Sequence, residues 1–289
     1  MLKLSNNLDS YCWACDYSSS SGEGNLARLY VKKTIKENAK IYVPRNIFKY
    51  KYISPFIGII YCWYFFLLGK KNYYLNYLPF WNFLLFALLP PNTILGPITG
   101  GAKYDKNKIN FIRRFLFPIF YKISEFFLII RNNKNYFATD LLRKYCWTKS
   151  NKTFDYVYNF FSKKNKIKKD IDLLIYYRRH KNKIKNFPYQ WIKRLVALGV
   201  KIHVVGDRLN LFGVKNHGYI KNIILGKLQA KSKFSIASEE NIFSIFTIEC
   251  INNHNKILTN KLLYKENSKY KRYFIFEDFQ KIPKLERFL

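Results

Sequence analysis

Ile171-Asp-Leu-Leu-Ile-Tyr-Tyr177 is an apolar, β-favouring run, and the helical pattern after it, from Tyr189 to Leu198, is closed by Gly199. The alternation continues. Lys201-Ile-His-Val-Val-Gly206 predicts a strand, Asp207 to Asn216 a loop, Asn222 to Ala230 a helix and Phe234-Ser-Ile-Ala237 a strand. The stretch SEENIFSIFTIECINNHNKILTN, from Ser238 to Asn260, predicts a helix ended by Asn252-Asn253 and then a strand at Lys256-Ile-Leu-Thr259. Arg272-Tyr-Phe-Ile-Phe276 predicts a last strand. Short apolar strands separated by helices imply βαβ units and a parallel sheet.

The first half has the same grammar with less regularity. Tyr11-Cys-Trp-Ala-Cys15 predicts a strand, Asp16 to Gly24 a loop, Asn25 to Asn38 a helix and Ile41-Tyr-Val43 a strand. Two stretches, Tyr52 to Gly69 and Asn72 to Ala102, carry no charge. The first is just long enough, if wholly helical, to cross a hydrocarbon core of about 30 Å. The second is interrupted by Pro79, Pro90, Pro91, Pro97 and several glycines, and predicts a strand near Tyr73 to Leu78, a helix near Phe80 to Leu89 and a strand near Thr93 to Gly96. A surface that dips into a membrane interface, with Trp63, Tyr64, Phe65, Phe66 and Trp81 beside Lys70 and Lys71, suits these residues better than a span.

The lysine-rich run Ser162-Lys-Lys-Asn-Lys-Ile-Lys-Lys169 reads as an interdomain linker. It separates an N-terminal domain, 1–162, from a C-terminal domain, 171–289, with 163–170 as the basic connection. Two parallel sheets so joined would face each other across a cleft. Ligands of open α/β sheets bind beyond the carboxyl ends of the strands. The residues at those ends are Asp16, Gly22, Glu23 and Gly24; Gly100 and Gly101; Arg178, Arg179 and Lys183; Gly206 and Asp207; and Glu239, Glu240 and Asn241.

Composition sets bounds on partners. The 289 residues are 49% hydrophobic, enough for a substantial core, and carry a formal charge of +33. Such an excess raises nucleic acid or an anionic membrane as partners, although abundant Lys, Asn, Ile, Tyr and Phe also accompany an AT-rich coding bias. The two charge-free stretches set 14 of the 55 aromatic residues apart from any base, and a basic nucleic-acid-binding α/β protein is the alternative class. Gly22-Glu-Gly24 lacks the third glycine of a dinucleotide fingerprint, and no acid closes the second strand at Val43-Pro44, which weighs against a dinucleotide-dependent oxidoreductase. A non-catalytic scaffold on the same fold stays open. Five scattered cysteines argue against a disulfide framework. Cys12-Trp-Ala-Cys15 has redox or zinc spacing but no second pair near it, and its segment reads as a buried strand. The opening residues MLKLSNNLDSY lack the apolar run of a secretory signal, and the expected setting is cytoplasmic, peripheral on the inner face of the plasma membrane.

Arg178, Arg179 and Lys183 place fixed positive charge where a diphosphate would be held. Glu249 lies within the helix predicted by the stretch from Ser238. Nine residues separate it from Glu240, half a turn out of phase, so Glu240 belongs to the loop with Glu239 and Asn241. With this basic pair and acidic junction, the C-terminal half resembles the donor domain of GT-B glycosyltransferases, in particular the family-four-like group of surface polysaccharide synthesis. The resemblance implies two Rossmann-like domains about a cleft, a nucleoside-diphosphate sugar as donor, and a glycan or lipid-linked oligosaccharide, including lipopolysaccharide, as acceptor. By the same resemblance Arg178, Arg179 and Lys183 hold the donor diphosphate, Glu249 with Gly218, Tyr219 and Ile220 the nucleoside, and Glu239, Glu240 and Asn241 the sugar. Glu240 and Asn241 are the catalytic candidates. The family pattern of two glutamates with seven residues between them puts Asn241, not an acid, at the first position. The N-terminal half is similar to acceptor domains, with Gly22-Glu-Gly-Asn-Leu-Ala27 and Gly96-Pro-Ile-Thr-Gly-Gly101 as its loops. The resemblance implies no cofactor, no divalent metal and no nucleic-acid partner, with a membrane surface as a further partner.

Overall fold

The computed structural model describes residues 10–19, 21–35, 38–44, 53–100, 108–131, 135–138, 146–147, 152–153, 167–179, 184, 187–237, 244–260 and 271–283. The chain divides into two compact units, Met1–Phe160 and Phe161–Leu289.

In the first unit, β1 (Ser10–Trp13), β2 (Ala39–Tyr42), β3 (Asn72–Tyr74) and β4 (Ile94–Leu95) form a sheet in the order β2-β1-β3-β4. Every pairing is parallel. Helix α1 (Gly22–Tyr30) runs on as a wider π turn over Val31–Ile35 before β2. It starts earlier than the glycines suggest, because the Ser21 hydroxyl accepts the Gly24 N–H and stabilises the first turn.

The charge-free stretch at Tyr52 folds into α2 (Ser54–Leu67), with Pro55 in its first turn, where a missing N–H costs nothing. Among the described residues no helix is long and apolar enough to cross a membrane. Prolines cut the second charge-free stretch as expected into β3, α3 (Phe83–Leu88) and β4. Helix α4 (Lys108–Ile130), which the apolar pattern did not single out, follows, with Pro118 inside it. Short strands β5 (Asn135–Tyr136) and β6 (Lys152–Thr153) pair in parallel. The core gathers Trp13, Cys62, Tyr74, Phe80, Tyr121 and Phe137, with the Phe80 and Tyr121 rings stacked at 5.2 Å.

The second unit follows its sequence pattern more closely. Strands β7 (Ile171–Tyr177), β8 (Ile202–Gly206), β9 (Val214–Asn216), β10 (Ser232–Ile236), β11 (Lys256–Asn260) and β12 (Phe274–Glu277) form one sheet in the order β12-β11-β10-β7-β8-β9. All its pairings are parallel. Helices α5 (Tyr189–Ala197), α6 (Asn222–Lys231) and α7 (Ile245–Asn252) connect them. Strand β9 lies in the stretch predicted as loop; three residues of mixed polarity on a sheet edge leave no alternation to detect. Trp191, Ile192 and Leu195, one face of α5, pack on Leu173, Ile175 and Val204 of the sheet. Each such side chain contributes on the order of 1.5–3 kcal/mol by leaving water.

Candidate functional site

In the first sheet, β1 and β3 are neighbours whose connections depart in opposite directions, to β2 on one side and β4 on the other. Such a switch point leaves a crevice beyond the carboxyl ends of the two strands. Asp16 follows β1 there, buried. Its Oδ1 accepts the Ser18 N–H at 2.8 Å and its Oδ2 accepts the Ser21 hydroxyl. From the loop after β3, buried Asn76 accepts the Cys15 N–H at 2.9 Å and donates to the carbonyls of Asp16 and Glu23. The N–H of Tyr77, whose φ is 56°, donates to Glu23 Oε2 at 3.2 Å. Burial pushes the Glu23 carboxyl above its usual range; the Tyr77 N–H opposes that shift and the Asp16 charge adds to it.

The loop of serines and glycines is therefore not an open seat for an anion. The Gly24 N–H is taken by Ser21, and two carboxyl groups occupy the crevice. Gly24 is needed for close packing, since a Cβ there would stand 2.2 Å from the Ser18 carbonyl oxygen. Gly22 is exposed at the helix start. Gly100 lies half-buried just past the bridge between Pro79 and Thr99, and Gly101 lies outside the described residues. A half-buried carboxyl with a raised pKa, steadied by a backbone N–H, is suited to take a proton from a hydroxyl. Asn76 and Tyr77 were hidden in the sequence because the apolar run from Tyr73 to Leu78 reads as one strand, whereas β3 stops at Tyr74.

In the second sheet the switch point lies between β7 and β10. Arg178 and Arg179 follow β7 directly, both exposed. Asp207, just past β8, ties the backbone after β7 to Tyr219: its Oδ2 accepts the Arg179 backbone N–H at 2.6 Å and its Oδ1 accepts the Tyr219 hydroxyl at 2.8 Å. These two bonds, with the nearby charges of Arg178 and Arg179, hold the Asp207 carboxyl below its ordinary range. Three loops are knit by the backbone as well. Asp207 N–H donates to the Tyr177 carbonyl and Gly206 N–H to the Gly218 carbonyl, both at 2.9 Å. Gly206 has φ 96°, and a Cβ would sit 2.4 Å from the Tyr177 oxygen. The structure thus brings together Arg178, Arg179, Gly218 and Tyr219; Ile220 follows, half-buried. Asp207 belongs with them, and a Gly-Asp pair ending a strand was its signal.

Glu249 is the fifth residue of α7, whose N-cap Ser244 accepts the Thr247 N–H. Its Oε2 accepts the carboxamide of buried Gln229 on α6 at 3.2 Å. Lys183, Glu239, Glu240 and Asn241 lie outside the described residues.

Two further groups bear on metals. His203 and His217, fourteen positions apart in the chain, approach to 3.1 Å between Nδ1 and Nε2 across β8 and the end of β9. One Asp-x-Asp, a spacing that can hold a metal, occurs at Asp170-Ile-Asp172. It sits at the amino end of β7, the opposite end from the arginines. Asp172 accepts the Lys201 N–H at 2.9 Å and pairs with Lys233 at 3.0 Å, while Asp170 pairs with Lys231 at 3.5 Å. Among the described residues no three His, Cys, Asp or Glu side chains cluster as a metal site. Cys12 and Cys15 are free, buried thiols, and burial pushes Cys12 up to about 12.

No protein-family model matches the chain, and no curated protein sequence matches it significantly. Several solved structures are similar. Escherichia coli heptosyltransferase WaaC with ADP-2-deoxy-2-fluoro heptose shares 10% identity over 90% of this chain and 91% of its own, at a TM-score of 0.36. The lipopolysaccharide outer core galactosyltransferase WaaB in its apo form shares 10% over 88% and 80%, at 0.47. A Listeria monocytogenes protein described as a UDP-N-acetylglucosamine 2-epimerase shares 8% over 92% and 81%, at 0.48. At these identities and scores the likeness names no activity for this chain.

Proposed function

We propose that this protein is a glycosyltransferase that moves a sugar from a nucleoside-diphosphate sugar to a hydroxyl of a glycan or lipid-linked oligosaccharide, on the cytoplasmic side of a membrane. The observation that carries the reading is the pair Arg178 and Arg179 at the switch point of the second sheet, with the Arg179 backbone N–H held by Asp207. As the glycosidic bond breaks, charge grows on the departing diphosphate. Guanidinium groups carried on a backbone pinned at that position stabilise the charge. Lys183 adds a third cation. Tyr219, anchored through its hydroxyl, offers a ring face to the base, and Glu249 accepts from ribose hydroxyls. Glu239, Glu240 and Asn241 serve the sugar, and Glu240 and Asn241 remain candidates for direct action at its anomeric carbon. The acidic crevice of the first sheet takes the acceptor, with Glu23 removing the proton from the attacking hydroxyl. This division of charge favours the roles: carboxyl groups repel a diphosphate and attract hydroxyls, and arginines do the reverse. The reaction so written calls for no cofactor.

Binding of a panel of nucleoside diphosphates and their sugars, followed by thermal shift and calorimetry, tests the reading. One nucleotide class should stabilise the protein, and Arg178→Ala and Arg179→Ala should each weaken it about tenfold or more. Binding to none of the panel, with tight salt-sensitive binding to DNA or RNA, overturns it.

A further inference from the structure

Helix α2 is apolar on every side, yet only one side is covered. Ser54, Gly58, Cys62 and Phe65 face the core. On the opposite side Ile53, Phe56, Ile60, Tyr64, Leu67 and Leu68 stand in water, Ile60 at 70% and Leu67 at 78% exposure. Spacings of three and four residues align them as one stripe. The stripe does not end with the helix. Trp63, part-exposed, donates its indole N–H to the Leu88 carbonyl at 2.8 Å and ties α2 to α3, which exposes Leu84 and Leu88. The Trp81 ring, just before α3, stacks on Phe117 of α4 at 5.2 Å, and α4 adds exposed Phe115, Ile119, Phe126 and Ile130. Large apolar side chains exposed on three helices linked by these contacts exceed the scattered exposure ordinary on a soluble monomer.

We infer that this face docks on an anionic phospholipid bilayer, lying in its interface with α2 parallel to the membrane plane. Charge selects the occupant. From Asn38 to Tyr104 the chain holds Lys and Arg but no Asp or Glu, and Lys70 and Lys71 stand exposed at the end of α2. Apolar side chains rimmed by cations match acyl chains beneath anionic headgroups. A second copy would bring the same cations, on a chain of charge +33, against each other. Spanning is excluded by length and packing: a 14-residue helix extends about 21 Å against a core of about 30 Å, and its inner face is seated on the sheet. Part-exposed Trp63 and Trp81 have the amphipathic rings that settle at headgroup depth.

Flotation of the purified full chain with vesicles of phosphatidylcholine, alone or mixed with phosphatidylglycerol, tests the docking without any need for enzymatic activity. The mixed vesicles should bind at least about tenfold more protein, and Ile60→Glu with Leu67→Glu should reduce that binding about tenfold or more. Lys70→Glu with Lys71→Glu should weaken it and flatten its salt dependence. Brominated acyl chains should quench the tryptophan fluorescence of the unmodified protein, and Trp63→Phe with Trp81→Phe should remove most of that quenching. Absence of vesicle binding overturns the inference. So does binding indifferent to Ile60→Glu and Leu67→Glu, or a dimer in light scattering that these two substitutions dissociate.

Discussion

The carboxamide of Gln229 donates to Glu249 Oε2 at 3.2 Å, linking α6 to α7. An acid among isoleucines, which the helix alone does not explain, thus has a partner inside the protein as well as a proposed one in the ribose. The two roles separate by substitution. Glu249→Ala should lower stability by about 1–3 kcal/mol, because buried Gln229 loses its acceptor, and should also weaken nucleotide binding. Gln229→Ala should lower stability comparably and leave the affinity within about threefold. Urea unfolding and calorimetry on both variants measure the split; equal losses of affinity would leave Glu249 a structural residue.

In the proposed reaction Glu23 is the base, a role that suits a carboxyl whose pKa burial raises while the Tyr77 N–H steadies one oxygen. Glu23→Gln should reduce turnover of the bound sugar nucleotide by about 10²–10⁴. In the unmodified protein, the proposed activity should rise with pH through a midpoint above the usual carboxylate range. The folded pKa exceeds the unfolded one, so the contribution of this group to stability is present at low pH and lost as pH rises. Glu23→Gln should therefore be at least as stable as the parent near neutrality, which thermal unfolding checks.

Arg131, just past α4, gathers carbonyls from the last turn of α3 and the segment after it. It donates to Leu89 at 2.8 Å, Thr93 at 3.1 Å, Phe86 at 3.4 Å and Pro90, and burial lowers its pKa to about 10. Arg131→Met keeps much of the apolar stem but removes these donors, leaving the Pro90 carbonyl only the Thr93 N–H at 3.1 Å. It should lower stability by about 2–4 kcal/mol in urea unfolding.

The His203 and His217 rings share their contact with cationic neighbours. Burial, His217, Lys215 and Lys201 lower the His203 pKa to about 4, and Asp170 opposes them. An unfolded His binds a proton near pH 6.5, so the stability it confers is complete above that value and is lost as pH falls toward 4. Between pH 7.5 and 4.5 the protein should lose on the order of 2 kcal/mol more than a His203→Asn variant, as measured by urea unfolding.

Local periodicity sufficed for most of the second unit. The run from Ile171 to Tyr177 became β7 residue for residue, and Gly199 closed α5 with φ 80°. A run rich in isoleucine, leucine and tyrosine and a glycine in the left-handed region are decided within a few residues, so they are legible in the chain. The position of Arg178 and Arg179 at the end of β7 was legible for the same reason. Elsewhere only the folded chain decided. Whether Glu23 faces Asn76 and Tyr77 depends on β1 and β3 lying side by side, a pairing across more than fifty residues with no local trace. The same holds for Gln229 against Glu249, for His203 against His217, and for the apolar residues of α2. Their pattern shows that all faces are hydrophobic, but packing determined that Cys62 and Phe65 are buried while Ile60 and Leu67 meet solvent.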